Sequence, residues 1–315
     1  MGKWLDGVIG AVVGDALGVP VEFESREYLK KNPVTDMIGY GTCNQPAGTW
    51  SDDSSMLLAT LRSLRNGFDI TDMMERFCQW MVHGRYTPYG EAFDVGRGTR
   101  MSIIRYLKDK DVMTCGGTSG WDNGNGSLMR ILPVALYCSE KARNYEITYD
   151  QAYEMIHLAS GLTHNHLRSK MACGIYFMLC NTLSVSAGNL YGDIESALEH
   201  AFGYYGKSKE NHEEMANYHR LRDLSGFASL PEERIKSSGY VVDTLEAAIW
   251  CLLTTSSYEE CVLKAVNLGE DTDTVASVAG GLAGLFYGVD QIPEQWKEQI
   301  PRREWIEGLC AKMEG

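Results

Sequence analysis

Apolar side chains recur along much of the chain at the three- and four-residue spacing of an α-helix. The clearest case is residues 70–82, where apolar residues occupy positions 70, 73, 74, 77 and 81. Strict alternation of apolar and polar residues, the mark of a half-buried β-strand, is almost absent. The pattern therefore predicts an all-α protein.

The same reasoning places helices along the whole chain. They are predicted at residues 3–18, 54–66, 70–82, 99–107, 128–138, 149–162, 167–184, 241–254, 258–267, 274–288 and 293–312. Residues 24–49 are polar and predict a loop, and the charged stretch 206–236 predicts a solvated helix with a loop. No linker divides the chain, so we expect a compact single-domain bundle of about a dozen helices over residues 1–315.

Composition narrows the classes of function. The chain has 315 residues, 44% of them hydrophobic, so it can bury a sizeable core. It carries 29 basic and 42 acidic side chains, which gives a formal net charge of 29 − 42 = −13. This acidic balance argues against general nucleic-acid binding and against binding to anionic membrane surfaces.

Cysteine usage and the N-terminal sequence suggest a compartment. The nine cysteines include no C-x-x-C pair, which favours reduced thiols over a disulfide framework or a zinc cluster. The N-terminal residues lack the pattern of a signal peptide, and no uninterrupted apolar run reaches the ~18 residues of a membrane span. We expect a cytoplasmic protein without a transmembrane helix.

Two short acidic segments stand at predicted helix starts. Residues 51–53 read Ser-Asp-Asp, and residues 271–274 read Asp-Thr-Asp-Thr. Each alone is explained by helix capping, because Ser, Thr and Asp side chains accept bonds from the free N–H groups of a first turn. Together they offer four carboxylates and two hydroxyls, which suits two hard divalent cations. Oxygen ligands favour Mg²⁺, Mn²⁺ or Ca²⁺ over zinc.

Other candidate residues leave alternatives open. The turn at 124–127 leads into a helix predicted near Leu128, and it is either an anion site or an ordinary capped turn. Asp94 lies in a glycine-rich loop and is a turn residue or a base. Tyr240 is a core residue or a stacking surface.

Histidine and glutamate supply the remaining candidates. His164 and His166 form an H-x-H pair without further ligands nearby, so a helix cap or a hydrogen bond to substrate is favoured over zinc. Glu22 stands between two apolar residues, where we expect it to be partly buried.

Five segments in a fixed order carry a family resemblance that covers nearly the whole chain. They are GAVVGDALGVPVEF (10–23), WSDDSSM (50–56), GNGSLMR (124–130), THNH (163–166) and NLGEDTDT (267–274), with weaker support from FDVG (93–96) and SGYVVD (238–243). In these segments the chain resembles the ADP-ribosylglycohydrolases, an all-α family.

The resemblance implies a role for each matching residue. It implies two Mg²⁺ or Mn²⁺ ions held by Ser51, Asp52, Asp53, Asp271, Asp273 and Thr274, with Ser51 in place of the family's usual threonine. It implies Glu22 and Asp94 as catalytic residues. It implies contacts to ADP-ribose from Asn125, Gly126, Ser127, His164 and Tyr240.

The resemblance also implies an activity. A member of this family is expected to be a metal-dependent hydrolase that cleaves the N- or O-glycosidic bond at C1″ of ADP-ribose. Removal of mono-ADP-ribose from arginine on proteins is the leading expectation. Serine-linked, nucleic-acid-linked and O-acetyl-ADP-ribose substrates stay open, as does a non-catalytic ADP-ribose binder, although the retention of all four aspartates argues against the last. The expected partner is an ADP-ribosylated protein or a small ADP-ribose conjugate.

Overall fold

The structure is a computed structural model, and it describes residues 2–314. Within that range the chain forms sixteen α-helices, and strand-like pairing is limited to isolated bridges. The helices are α1 (Lys3–Gly18), α2 (Arg26–Lys31), α3 (Asp52–Leu64), α4 (Ile70–His83), α5 (Arg97–Asp109), α6 (Leu132–Arg143), α7 (Tyr149–Gly161), α8 (Leu167–Leu183), α9 (Leu190–Tyr205), α10 (His212–Met215), α11 (Leu224–Ala228), α12 (Val241–Leu253), α13 (Tyr258–Asn267), α14 (Thr272–Tyr287), α15 (Glu294–Gln299) and α16 (Arg303–Ala311). The expected all-α fold is confirmed.

Helices α1 and α14 pack along each other at the centre of the bundle. A methyl group added at Gly10 would collide with the carbonyl of Gly280, and one added at Gly14 would collide with the carbonyl of Ala276. Glycine is about 1 kcal/mol worse than alanine inside a helix. Its repetition in α1 therefore has a packing reason, because only glycine lets the two backbones approach this closely.

The remaining helices surround this central pair. Helices α12 and α13 flank α14, while α8 packs with α6, α7 and α9, and the buried side chains form one continuous core. The segment Lys3–Val21 is long and apolar enough to cross a membrane, but 94% of its most apolar window is buried inside the protein. Burial of this kind is what a central core helix requires.

Most predicted helices are present, and the differences at their ends have local causes. The helix predicted from residue 128 begins at Leu132, because the N–H groups of Leu128 and Met129 first bond to the carbonyl of Asn125 in a separate turn. The helix predicted at 293–312 is split into α15 and α16. Pro301 lies between them and disfavours a helical conformation at the residue before it.

Three further differences concern helices that the sequence pattern did not predict with these bounds. Residues 190–205 form α9, a helix missing from the prediction, although its buried positions 194, 197, 198, 201 and 205 repeat the spacing seen in α4. The charged stretch 206–236 contains the short helices α10 and α11, and the predicted loop at 24–49 contains α2.

Candidate active site

The first turns of α3 and α14 meet beside the C-terminal end of α1. A methyl group at Gly18, the last residue of α1, would collide with the backbone of Asp273, and the Thr272 hydroxyl donates to the Gly18 carbonyl at 2.8 Å. The Thr274 hydroxyl donates to Oδ1 of Asp53 at 3.3 Å. The two acidic segments, far apart in sequence, are therefore in direct contact.

Helix capping explains part of the first segment and not the second. Ser51 is the N-cap of α3, and its hydroxyl accepts the N–H of Asp53 at 3.3 Å. Asp271 holds the N-cap position of α14, but its side chain makes no capping bond. It accepts instead from Nδ2 of Asn125 at 2.8 Å. The carboxylate of Asp271 is thus held toward the turn at residues 124–127.

Asp15 fixes the start of α3 from within α1. Its carboxylate is fully buried and accepts the backbone N–H groups of Ser51 and Ser54, each at 3.0 Å, and the Ser54 hydroxyl at 2.5 Å. Burial raises the pKa of Asp15 to about 6, although these hydrogen bonds act in the opposite direction. Asp15 is absent from the sequence-based list of site residues. The available signal was a carboxylate inside an otherwise apolar helix, which is costly unless it is paired.

Glu22, Asp94 and Asp273 bring one carboxylate oxygen each within 4.8 Å of one another. Glu22 directly follows the short turn that ends α1, and Asp94 has a left-handed backbone with φ of 53°. Burial raises the pKa of Glu22 to about 9, and the neighbouring charge of Asp94 adds to this. The thiol of Cys43 lies 3.4 Å from Oε2 of Glu22. Both residues predicted to be catalytic therefore adjoin the acidic segments.

The electrostatics of the cluster fit a bound metal ion. Burial raises the pKa of Asp52, Asp53 and Asp273 well above the usual range, and neighbouring carboxylates raise it further. Oδ2 of Asp53 and Oδ2 of Asp273 are buried and have no hydrogen-bond partner among residues 2–314. A buried carboxylate oxygen without a partner is costly, and a hard cation supplies the missing charge and the missing contact. These carboxylates form a buried acidic cluster that can hold metal.

The cluster forms one wall of a cleft of about 280 Å³. Among the predicted site residues, the cleft is lined by Glu22, Asp52, Asp53, Asp94, Asn125, Gly126, His164, Asp271 and Thr274. A second cleft of about 480 Å³ adjoins it and shares Arg97, Gly98, Gly124 and His164. His164 therefore stands where the two clefts meet.

A chain of hydrogen bonds sets the state of the His164 ring. Nη2 of the buried Arg130 donates to the Thr163 hydroxyl at 2.8 Å, and that hydroxyl lies 2.9 Å from Nδ1 of His164. Within residues 2–314 the proton of this hydroxyl has no acceptor other than Nδ1 of His164, so we assign the proton to that bond. Nε2 of His164 then carries the ring proton. Burial, followed by the charge of Arg130, lowers the pKa of His164 to about 3, so the ring is a neutral hydrogen-bond donor.

Three predicted residues have side chains that face away from the cleft. The Ser127 hydroxyl is fully buried and accepts from the Ser160 hydroxyl at 3.0 Å. The Tyr240 hydroxyl accepts from Arg168 at 3.1 Å. The His166 side chain caps α8, which is one of the two roles favoured for it over zinc binding. Tyr240 shapes the site through its backbone, since residues 123–125 pair with residues 239–241.

Comparison with known proteins shows which family this chain is similar to. The profile of the family described as ADP-ribosylglycohydrolase matches residues 2–315. An ADP-ribosylarginine hydrolase Tri1 of Serratia proteamaculans is 30% identical over 308 residues, covering 97% of this chain and 77% of the relative.

Two further proteins extend the comparison. The ADP-ribosyl-[dinitrogen reductase] glycohydrolase of Rhodospirillum rubrum is 30% identical over 300 residues, covering 94% of this chain and 89% of the relative. A solved structure described as an ADP-ribosylglycohydrolase-related protein complex superposes with a TM-score of 0.78 at 30% identity, covering 99% of this chain and 96% of that one.

Proposed function

Because this chain belongs to the ADP-ribosylglycohydrolase family and is an enzyme of that class, we propose that it removes mono-ADP-ribose from arginine on proteins in a metal-dependent reaction. The observation that carries the metal dependence is the pair of partnerless buried oxygens on Asp53 and Asp273, in segments joined by Thr274. The arginine linkage is supported by the names of two relatives, one a hydrolase of ADP-ribosylarginine and the other a glycohydrolase of ADP-ribosylated dinitrogen reductase.

Two Mg²⁺ or Mn²⁺ ions are the proposed cofactors. The residues that would hold them are Ser51, Asp52, Asp53, Asp271, Asp273 and Thr274, which offer carboxylate and hydroxyl oxygens. Such ions orient sugar hydroxyls and stabilise negative charge that develops in a reaction. Glu22 and Asp94 adjoin this set, and each brings an oxygen within 4.8 Å of an oxygen of Asp273.

Glu22 and Asp94 are the proposed acid and base. Burial raises the pKa of both carboxyl groups, and a hydrogen bond between the two side chains raises that of Glu22 further while it acts to lower that of Asp94. Glu22 is thus the member that holds the proton, and Asp94 the ionised one. In the proposed reaction Glu22 protonates the departing guanidine nitrogen as its bond to C1″ breaks, and Asp94 accepts a proton from the attacking water.

The two clefts together accommodate the substrate. The distal ribose occupies the smaller cleft beside the carboxylates, and the rest of ADP-ribose extends past His164 into the larger one. The Nε2–H group of His164 donates to an oxygen of the substrate at this junction. The ring stays neutral near pH 7, so this contact adds no charge to the site and does not change with pH in that range.

A panel of linkages tests the proposal. Purified protein is incubated with ADP-ribosylated arginine, serine and thymidine and with O-acetyl-ADP-ribose, in Mg²⁺, Mn²⁺ or EDTA. We expect release from arginine to be fastest and to stop in EDTA. Preferred release from another linkage would replace arginine as the substrate, and undiminished turnover in EDTA would remove the metal from the proposal. Binding of ADP-ribose without release from any conjugate would identify a binding module.

The role of Glu22 needs its own test. Substituting Glu22→Gln keeps the shape of the side chain and removes its ability to donate and accept a proton. We expect turnover to fall by about 10²–10⁴-fold, the usual contribution of a general acid or base, while ADP-ribose still binds. Near-normal turnover would contradict the acid role.

A reducing compartment suits the cysteines. All nine are free thiols, and eight of them are buried. We propose that the enzyme acts in the cytoplasm, because reduced thiols persist there. Fractionation of the native host, with the protein detected by antibody, tests this location.

A further inference from the structure

Phe23, the residue after Glu22, is a large apolar side chain displayed at the active-site cleft. It lines the cleft together with Glu22 and Asp94, yet 73% of its surface is exposed to solvent. Its backbone is also left-handed, with φ of 67°. Both features are unfavourable for phenylalanine, and strained residues of this kind concentrate at functional sites.

The backbone around Phe23 is fixed by the segment that leads into α14. The N–H of Phe23 donates to the carbonyl of Glu270 at 2.7 Å, and the N–H of Glu270 donates to the carbonyl of Glu24 at 2.8 Å. Glu270 is itself left-handed, with φ of 64°, and it directly precedes Asp271. The backbone that carries the Phe23 ring is therefore tied to the segment that carries Asp271 and Asp273 of the acidic cluster.

The chemistry beside Phe23 suits a planar cation. The face of an aromatic ring attracts a guanidinium group, and the ionised carboxylate of Asp94 at the same cleft adds Coulombic attraction. A serine hydroxyl or an acetyl group has no such charge and gains no cation–π attraction from a ring face. We propose that Phe23 is a specificity-determining residue that stacks on the guanidinium of the ADP-ribosylated arginine. This inference rests on the proposed function.

The test compares leaving groups in two variants. Phe23→Leu keeps an apolar side chain and removes the aromatic face, whereas Phe23→Trp keeps and enlarges the face. For ADP-ribosylarginine we expect kcat/KM to fall by about 3- to 30-fold in Phe23→Leu and to be retained in Phe23→Trp. For ADP-ribosylserine we expect the two variants and the wild type to agree within about twofold, because no cation is present.

Free ADP-ribose provides the internal control, since it has no leaving group. Its Kd, measured by calorimetry in Mg²⁺, should be the same in wild type and in Phe23→Leu. Equal losses on the arginine and serine substrates, or a weaker Kd for ADP-ribose, would assign Phe23 a structural role and overturn the inference.

The failure of this inference is distinguishable from that of the proposed function. If wild-type protein releases arginine and Phe23→Leu does so equally well, the proposed function stands and the stacking role is wrong. If wild-type protein does not act on ADP-ribosylarginine, both are overturned.

Discussion

Oδ2 of Asp15 and the hydroxyl oxygen of Ser54 lie 2.5 Å apart, buried between α1 and α3. The same carboxylate accepts the N–H groups of Ser51 and Ser54, so it occupies two of the free donors at the N-terminus of α3. Helix α1 thereby sets the position of the segment that carries Asp52 and Asp53. A residue that we do not place among the metal ligands thus determines where two of them stand.

Substitution of Asp15 by alanine is predicted to destabilise the protein and to weaken its metal response. Three buried donors lose their acceptor, and we expect the free energy of unfolding to fall by about 2–4 kcal/mol. The increase in Tm on adding Mg²⁺ should shrink as well, because the first turn of α3 is no longer held. Denaturant unfolding and thermal melts with and without Mg²⁺ measure both effects.

Ser54→Ala is the matched control. It removes the bond from the hydroxyl and leaves the two backbone bonds to Asp15, so we expect a loss of about 1 kcal/mol and a nearly normal response to Mg²⁺. Equal effects of the two substitutions would contradict the view that Asp15 positions the whole turn.

The stabilisation by Mg²⁺ is predicted to grow between pH 7 and pH 8.5. Burial raises the pKa of Glu22 to about 9 and raises that of Asp53 and Asp273 well above the usual range. A carboxyl group whose pKa is higher in the folded protein than in the unfolded chain stabilises the fold fully at pH values below its unfolded-state pKa. This stabilisation is lost as the pH rises through its folded-state pKa. Without metal, the free energy of unfolding therefore falls by up to about 1.4 kcal/mol per pH unit for each carboxyl group that keeps its proton in the folded protein.

Metal binding requires ionised carboxylates and therefore strengthens over the same range. Thermal melts at each pH, with Mg²⁺ and with EDTA, give the difference in Tm, in which the contributions of distant groups cancel. In Asp273→Asn the difference should be small at every pH while the protein remains folded. A difference in wild type that does not change with pH would count against the cluster as the metal site.

The helices could be predicted from the local spacing of apolar residues, whereas the site depends on contacts between residues that are far apart in the sequence. The apolar spacing of α4 is sufficient to define it, and the same spacing was available for α9. The contact between Thr274 and Asp53 joins residues 221 positions apart, and no local pattern specifies it. The residue types suggested that the two segments share metal ions, and the family resemblance added support to that link.

Side-chain direction was the part least accessible from sequence. Ser127 lies in a segment shared with the family, yet its hydroxyl bonds to Ser160 below the cleft. The left-handed conformation of Phe23 depends on its pairing with Glu270, which is fixed only once α1 and α14 have packed. An Asp in an apolar helix, such as Asp15, interrupts the sequence pattern, and only the packed structure supplies its partners.

The ring of His164 is predicted to be neutral from pH 5 to pH 8, with its proton on Nε2. Burial, followed by the charge of Arg130, lowers the pKa of the ring to about 3, and we assign the proton between the Thr163 hydroxyl and Nδ1 to the hydroxyl. In Thr163→Val this donor is absent, so we expect a mixture of tautomers and weaker binding of ADP-ribose. Long-range ¹H–¹⁵N NMR of labelled histidine reports the tautomer directly.

Thr163→Ser retains the hydroxyl and should preserve both the wild-type spectrum and the Kd. A wild-type spectrum with the proton on Nδ1, or one of a charged ring at pH 6, would show that the hydrogen bonds from Arg130 do not control His164.

Substituting Gly14→Ala is predicted to disturb the site by forcing α1 and α14 apart. The added methyl group would meet the backbone carbonyl of Ala276, which has no rotamer to change, so we expect a loss of about 3 kcal/mol. The same shift would move Asp273 relative to Glu22 and lower the gain in Tm on adding Mg²⁺.

Gly7→Ala is the control in the same helix, because its methyl group meets only the flexible side chains of Leu285 and Leu132, the closest atom at 3.1 Å. Alanine also favours the helix by about 1 kcal/mol, so this variant should match wild type in stability and in its response to Mg²⁺. Equal stability of Gly14→Ala and Gly7→Ala would mean that close contact between these two helices does not hold the acidic cluster together.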